Sequence, residues 1–381
     1  IAGLQFTDPP VPDEAPTEAD LAETTEVTLT PAIRAKAQEL GYNPIAIQNW
    51  VRNTIDFQPT WGALQSADTV LVSQRGNAHD IASLTVALLR ASKIPARYQW
   101  GTIELPASAV MNWVGGVTKP EAALNLMLQG GIAARGYASG GRIQSIRMEH
   151  VWVNAYVNYA PGRGALAGDP ASGQHVNPNA ALNAWVPVDG AFKQYSYTEG
   201  INYRSAVKMD TATLLAAAKS GATINDQEGW IQGLKPALVE EAITDHQTKI
   251  ISYINSSNSR DPGAIFGRKI ISERMPQMLS GSNAYLLIAR GPENSKIPSS
   301  LQWSLTLYLY TSELDKATGS YELSYQIPFS SLGSSRLASQ GIPASPADAE
   351  LLESYKQSSA TNLPVYLVRQ KTVLKLDDAI V

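Results

Sequence analysis

The chain has 381 residues, enough for two or three domains that each bury a core, so a disulfide-stapled miniprotein is excluded. Hydrophobic residues make up 44% and charged residues 17%, a globular mix, and no run of about 18 apolar residues offers a membrane span. Thirty Lys and Arg against 34 Asp and Glu give a net charge of −4 with no basic footprint for nucleic acid, and the absence of Cys excludes disulfides, thiolate metal sites and a thiol nucleophile in the chain as written.

Residues 1–30 carry seven acids (Asp8, Asp13, Glu14, Glu18, Asp20, Glu23, Glu26), no base, and Pro9, Pro10, Pro12 and Pro16. Such a composition builds neither a helix nor a sheet interior, so the segment reads as an extended leader. Composition alone favours a disordered tether. The other reading is a strap along the catalytic domain that is itself a substrate of self-processing. The rest is close to neutral and rich in Ser, Asn, Gln and Gly, which suits an extracytoplasmic bacterial protein. Starting at Ile1 without a targeting segment, it is expected to be part of a longer chain.

Thr30-Pro31 opens a helix with Ile33, Ala37 and Leu40 on one face and Gly41 as its stop. A second helix starts near Pro44, with Ile45, Ile47, Trp50, Val51 and Ile55 at helical spacing. From Ala78 to Ala91, Ile81, Leu84, Leu88 and Leu89 mark a buried helix, and Ala96–Leu105 reads as a strand. Residues 107–147 read as an insertion, with a short helix around Glu121–Leu128 between glycine pairs that suit a moving lid. Val151–Tyr159 alternates strictly, so one face only is expected in the core, and Ala184–Val188 is its hairpin partner, ending at Asp189-Gly190. Helices are then expected at Thr211–Lys219 and Trp230–Asn255. Strands follow at Ala284–Arg290, Leu301–Thr311, Tyr321–Gln326 and Val365–Leu376, with a helix at Pro346–Tyr355.

Three segments carry chemistry in order: Arg75-Gly76-Asn77-Ala78-His79-Asp80, His150-Val151-Trp152-Val153, and Trp185-Val186-Pro187-Val188-Asp189. Together with Ala87-Leu88-Leu89-Arg90-Ala91 and Ile94-Pro95-Ala96-Arg97-Tyr98, they resemble the transglutaminase-like branch of the papain-like cysteine enzymes over residues 44–195. The resemblance implies an α+β papain-like core, a helix packed on an antiparallel sheet. It also implies a nucleophilic Cys at position 78, His150 as its base and Asp189 as the orienter of the imidazole. It implies an oxyanion-binding side chain upstream, for which Trp61 and Gln65 are candidates. This chain has Ala78 where the family has Cys, and a methyl group attacks nothing.

A decayed enzyme has no reason to keep His150 and Asp189 while losing the thiol alone. The preferred reading is therefore a deliberately inactivated cysteine protease or transglutaminase-type acyltransferase, acting on peptide amides through a thioester. The alternative is a natural pseudoenzyme serving as a peptide-binding or adhesion module. Asp80 reads as a helix cap and His79 as a solvated neighbour or groove wall.

His79, His150, His175 and His246 are too few and too scattered for a metal site, and Gly162, Gly164 and Gly168 follow Pro161 rather than a strand-to-helix turn. No cofactor and no metal is expected; the partner is a peptide or protein substrate. The aromatics Trp303, Tyr308, Tyr310, Tyr321 and Tyr325 fit ordinary sheet faces better than a ligand platform. The expected layout is a leader (1–30), a catalytic domain (31–200), a helical connector (201–275) and a separate β-rich accessory domain (281–381).

Overall fold

The computed structural model describes residues 11–12, 15–160, 164–165, 184–256, 261–310, 312–333, 335–357, 368–377 and 379–380. The loop containing His175, Gly162 and Gly168, and residues 365–367 of the last expected strand, lie outside the described residues. Its contacts divide the chain into two compact units, Ile1–Gln194 with Glu273–Val381, and Tyr195–Ser272. The fold is α+β.

In the larger unit, β1 (Val11–Pro12) is a two-residue edge strand, and α1 (Pro31–Glu39) and α2 (Pro44–Thr54) follow. Each helix has Pro in its first turn, where no N–H is needed, and a preceding cap, Thr30 or Asn43, that accepts from the first free amides. The parallel pair β2 (Asp56–Phe57) and β3 (Arg75–Gly76) brackets α3 (Ala67–Ser73). Next comes α4 (Ala78–Ala91), in which every residue from Ala78 to Arg90 is buried. Helices α1, α2 and α3 pack on it from one side and the sheet from the other. Its hydroxyls cause no penalty: Ser83 and Thr85 donate to the carbonyls of His79 and Ile81 one turn back.

The chain continues into β4 (Ala96–Pro106), α5 (Ala107–Trp113), α6 (Pro120–Gln129), β5 (Ala134–Ser139) and β6 (Arg142–Val157). A short antiparallel pair, β7 (Tyr159–Ala160) and β8 (Gly164–Ala165), precedes β9 (Ala184–Val188). The sheet order places β6 between β4 and β9, with β1 at one edge and β5 on the far half of β6. The expectation of one core face on β6 is overturned. His150 and Trp152 are as buried as Val151 and Val153, because the sheet is covered on both sides.

The smaller unit is more than the expected helical connector. It is closed at its base by the antiparallel strands β10 (Tyr195–Thr198) and β13 (Arg268–Ile271). Between them lie α7 (Tyr203–Ala206), α8 (Thr211–Lys219), a β11 (Thr223–Asn225) and β12 (Trp230–Gln232) hairpin, α9 (Pro236–Ser256) and α10 (Pro262–Phe266). The helix expected from Trp230 thus begins at Pro236, and Trp230–Gln232 pairs as a strand instead. No described helix is long and apolar enough to cross a membrane.

The largest departure lies at the expected boundary at 281. β14 (Leu286–Asn294) is the other edge strand of the main sheet, paired with β4 from Leu286↔Glu104 to Asn294↔Tyr98. Residues 286–294 therefore belong with the main sheet rather than with a separate accessory domain. Gly101 permits the approach, since a Cβ there would stand 2.7 Å from the Ala289 carbonyl. Beyond it lie the hairpin β15 (Ser304–Leu309) and β16 (Leu323–Pro328), and the sheet of β17 (Leu337–Pro343), β18 (Gln370–Leu376) and β19 (Ala379–Ile380).

The leader is not a loose tether in its described part. Asp20 is buried and pairs with Arg97 at 3.1 Å, while Glu26, also buried, accepts from the Ile297 amide at 2.8 Å. Arg90 reaches back to the Ala22 carbonyl. Two acids of the supposed solvated run are thus held by partners 77 and 271 residues away.

Candidate functional site

The N-terminus of α4 is fixed by reciprocal capping. The Asn77 side chain accepts from the Asp80 amide at 3.0 Å, and Asp80 accepts from Asn77 at 3.3 Å. Asn77 also donates to the Gly62 carbonyl at 2.7 Å, and Asp80 accepts from the Leu64 and Gln65 amides, so the loop 60–65 is tied to the helix start. Burial pushes the Asp80 carboxyl up to about 6 against the pull of these donors.

Ala78, the first residue of the helix, lines a cavity of about 10 Å³, the room of roughly one water, together with Trp61, Trp113, Met127 and His150. His150 stands on β6 opposite Gly101 of β4. On the other side β6 pairs with β9 through Val153↔Val188, which puts Asp189, just past the strand end, diagonally across from His150. Their side chains meet with His150 Nε2 2.9 Å from Asp189 Oδ2. Gly190 is required at this corner: a Cβ there would lie 2.5 Å from Val51 Cγ1.

Asp189 is saturated with donors. Oδ1 accepts from the Ala191 and Phe192 amides at 2.7 and 3.2 Å, and Oδ2 accepts from the Tyr285 hydroxyl at 2.9 Å as well as from His150. Burial disfavours the carboxylate, yet the His150 charge and these hydrogen bonds outweigh it and hold the group below its ordinary range. With Nε2–H committed to Asp189, Nδ1 is the ring nitrogen left to accept a proton.

Sequence reasoning placed His79 in solvent or on the groove wall, whereas it is fully buried. Trp61 meets its ring edge-on at 4.6 Å, and the Trp100 indole nitrogen is 3.2 Å from Nε2. Burial first, and the neighbouring His150 second, lower it to about 3, so it is neutral. The Gly62 amide faces Nδ1 at 3.3 Å; because a neutral imidazole accepts at only one nitrogen, one of these two contacts at a time is a hydrogen bond.

The two oxyanion candidates separate. Trp61 lines the cavity beside Ala78, its backbone held by the Gly130 carbonyl and the Trp303 indole. Gln65 is turned away: its amide donates to the Arg75 carbonyl at 3.2 Å and accepts from Ser73 at 3.1 Å. The side chain that could bind an oxyanion beside Ala78 is thus Trp61 alone of the pair.

The insertion packs against the site through α5. Trp113 of α5 is buried, stacks on Phe57 at 4.5 Å, meets the His150 ring edge-on at 5.4 Å and donates to the Ala191 carbonyl at 2.9 Å. Gly130 lies against Pro59, where a Cβ would be 1.9 Å from its carbonyl oxygen, so that glycine serves close contact. Sequence reasoning missed Tyr285 as a member of the site.

Among known proteins, residues 27–190 match the profile of the transglutaminase-like superfamily. No curated protein matches the chain. A solved structure described as a "Putative Cysteine Protease from Cytophaga hutchinsonii" is similar at 19% identity over 45% of this chain and 45% of that one, with a TM-score of 0.22. Residues 27–190 accordingly form a transglutaminase-like domain.

Proposed function

We propose that this domain is built for acyl transfer from a peptide amide through a thioester, with position 78 as the nucleophile position. The chain carrying Ala78 is then its thiol-less form. The observation that carries the reading is that His150, held by the buried Asp189 at 2.9 Å, lines one small cavity with the first residue of α4. A thiol there would sit in the positive end of the helix, which stabilises a thiolate. His150 Nδ1 would take the thiol proton and return it to the leaving amine, while Asp189 keeps the ring oriented. The Trp61 indole and the free amides at the helix start would serve the oxyanion. Water or an amine would then release the acyl group.

A second reading, a non-catalytic peptide-binding module, is supported by Ala78 itself, whose methyl group leaves the His150–Asp189 pair without a nucleophile. One experiment decides between them. Ala78→Cys is exposed to a peptide amide electrophile, and both hydrolysis and amine incorporation are followed. Acyl transfer predicts covalent label at position 78 that falls by about a hundredfold or more when His150→Ala is added. Inertness in every arm supports the binding module.

A further inference from the structure

Tyr285 stands outside the matched segment 27–190, yet its hydroxyl donates to the same Asp189 oxygen that receives His150. Its ring is buried and meets the His150 ring edge-on at 5.6 Å and Phe192 at 5.8 Å. On its other side it lines a cavity of about 460 Å³ together with Asp189, Arg52 and Arg274. Asp189 and Tyr285 thus border the same cavity, and the Tyr285 hydroxyl takes a place on Oδ2 that water from it would otherwise fill.

We infer that Tyr285 is a positioning residue of the His150–Asp189 pair: it fixes the carboxylate rotamer and, by sharing Oδ2, limits how strongly Asp189 holds a proton on His150. The catalytic consequence rests on the acyl-transfer reading; the effect on the imidazole does not. A donor on Oδ2 spreads the carboxylate charge, so the imidazolium beside it is stabilised less. Tyr285 serves as a donor throughout the working range, because burial and the Asp189 charge raise its phenol well above 10. Other titratable or charged groups facing the pair are His79 on α4, Glu149 beside His150 on β6, and Arg52 and Arg274 across the cavity. None of them is altered by a change at 285.

The test uses the chain as it exists, with Ala78 in place. It has four histidines, so the ¹⁵N imidazole signals of His150 can be assigned with a His150→Gln control and titrated. Tyr285→Phe keeps the ring and removes the donor; the His150 titration midpoint is expected to rise by about one pH unit. Site-specific 3-fluorotyrosine at position 285, a stronger donor, should move it down. A midpoint unchanged within about 0.2 in both variants overturns the inference and leaves Tyr285 as packing. Should the Phe variant not fold, the fluorotyrosine result alone decides. In the Ala78→Cys background the pH profile of labelling should shift in the same sense. If labelling is absent while the imidazole shift persists, the acyl-transfer reading fails and the role of Tyr285 stands.

Discussion

Replacing Trp113 by Ala removes the plug over the His150 ring. An aromatic side chain of this size takes about 200 Å² out of water, which at about 25 cal/mol per Å² is worth about 5 kcal/mol. That is an upper bound, because the unfolded chain already shields part of the surface, and the loss for such truncations is about 3–5 kcal/mol. About 1 kcal/mol of it belongs to the hydrogen bond to Ala191. The rest belongs to the stack on Phe57 and the edge contacts with His150 and Phe192. Trp113→Phe should therefore cost much less than Trp113→Ala. In urea unfolding, Trp113→Ala should lower the midpoint by about 1–2 M. In the Ala78→Cys background it should also speed labelling by opening the cavity. Equal midpoints for the Ala and Phe variants, or a drop below about 0.3 M for Ala, would refute this account of the plug.

Two further outcomes are expected. Gly190→Ala drives a Cβ into Val51 and should displace Asp189 and weaken its bond to His150; adding Val51→Ala should restore the His150 imidazole signal, and failure of that rescue would point to a backbone cause. His79, held neutral to about 3, takes up its proton only on unfolding, so its contribution is full above pH 6.5 and lost as pH falls toward 3. Asp80, raised to about 6, acts oppositely, its contribution declining as pH rises from about 4 to 6. His79→Gln should therefore leave stability falling across that interval, measured by denaturation at stepped pH, where the parent is nearly flat.

What could be read from the sequence is what short-range chemistry fixes. The limits of α4 follow from the Asn77 cap and its apolar spacing, and the placing of His150 and Asp189 on neighbouring strands follows from their alternation. The strand at 284–290 was legible as well; its partner was not, because β4 lies about 190 residues upstream and no local pattern records the pairing. Tyr285 was invisible for the same reason. The acids of the leader misled because composition counts charges without their partners, and Asp20 and Glu26 find theirs on distant segments. Gln65 failed as an oxyanion candidate because its side chain caps the local turn at Ser73 and Arg75, a competition that residue type cannot reveal.

The place of β14 in the sheet also sets a timetable for translation. When residue 190 has been made, β4, β6 and β9 can pair, but the outer edge of β4 stays open and Arg97 lacks Glu293. About a hundred residues separate that point from Asn294, and at about 5–20 residues per second the nascent sheet waits about 5–20 s for its last strand. During this interval an unpaired edge is presented to every other emerging chain. Tyr285 arrives in the same late segment as the strand that closes the edge, so the hydrogen bonding of Asp189 is completed only as that hazard ends.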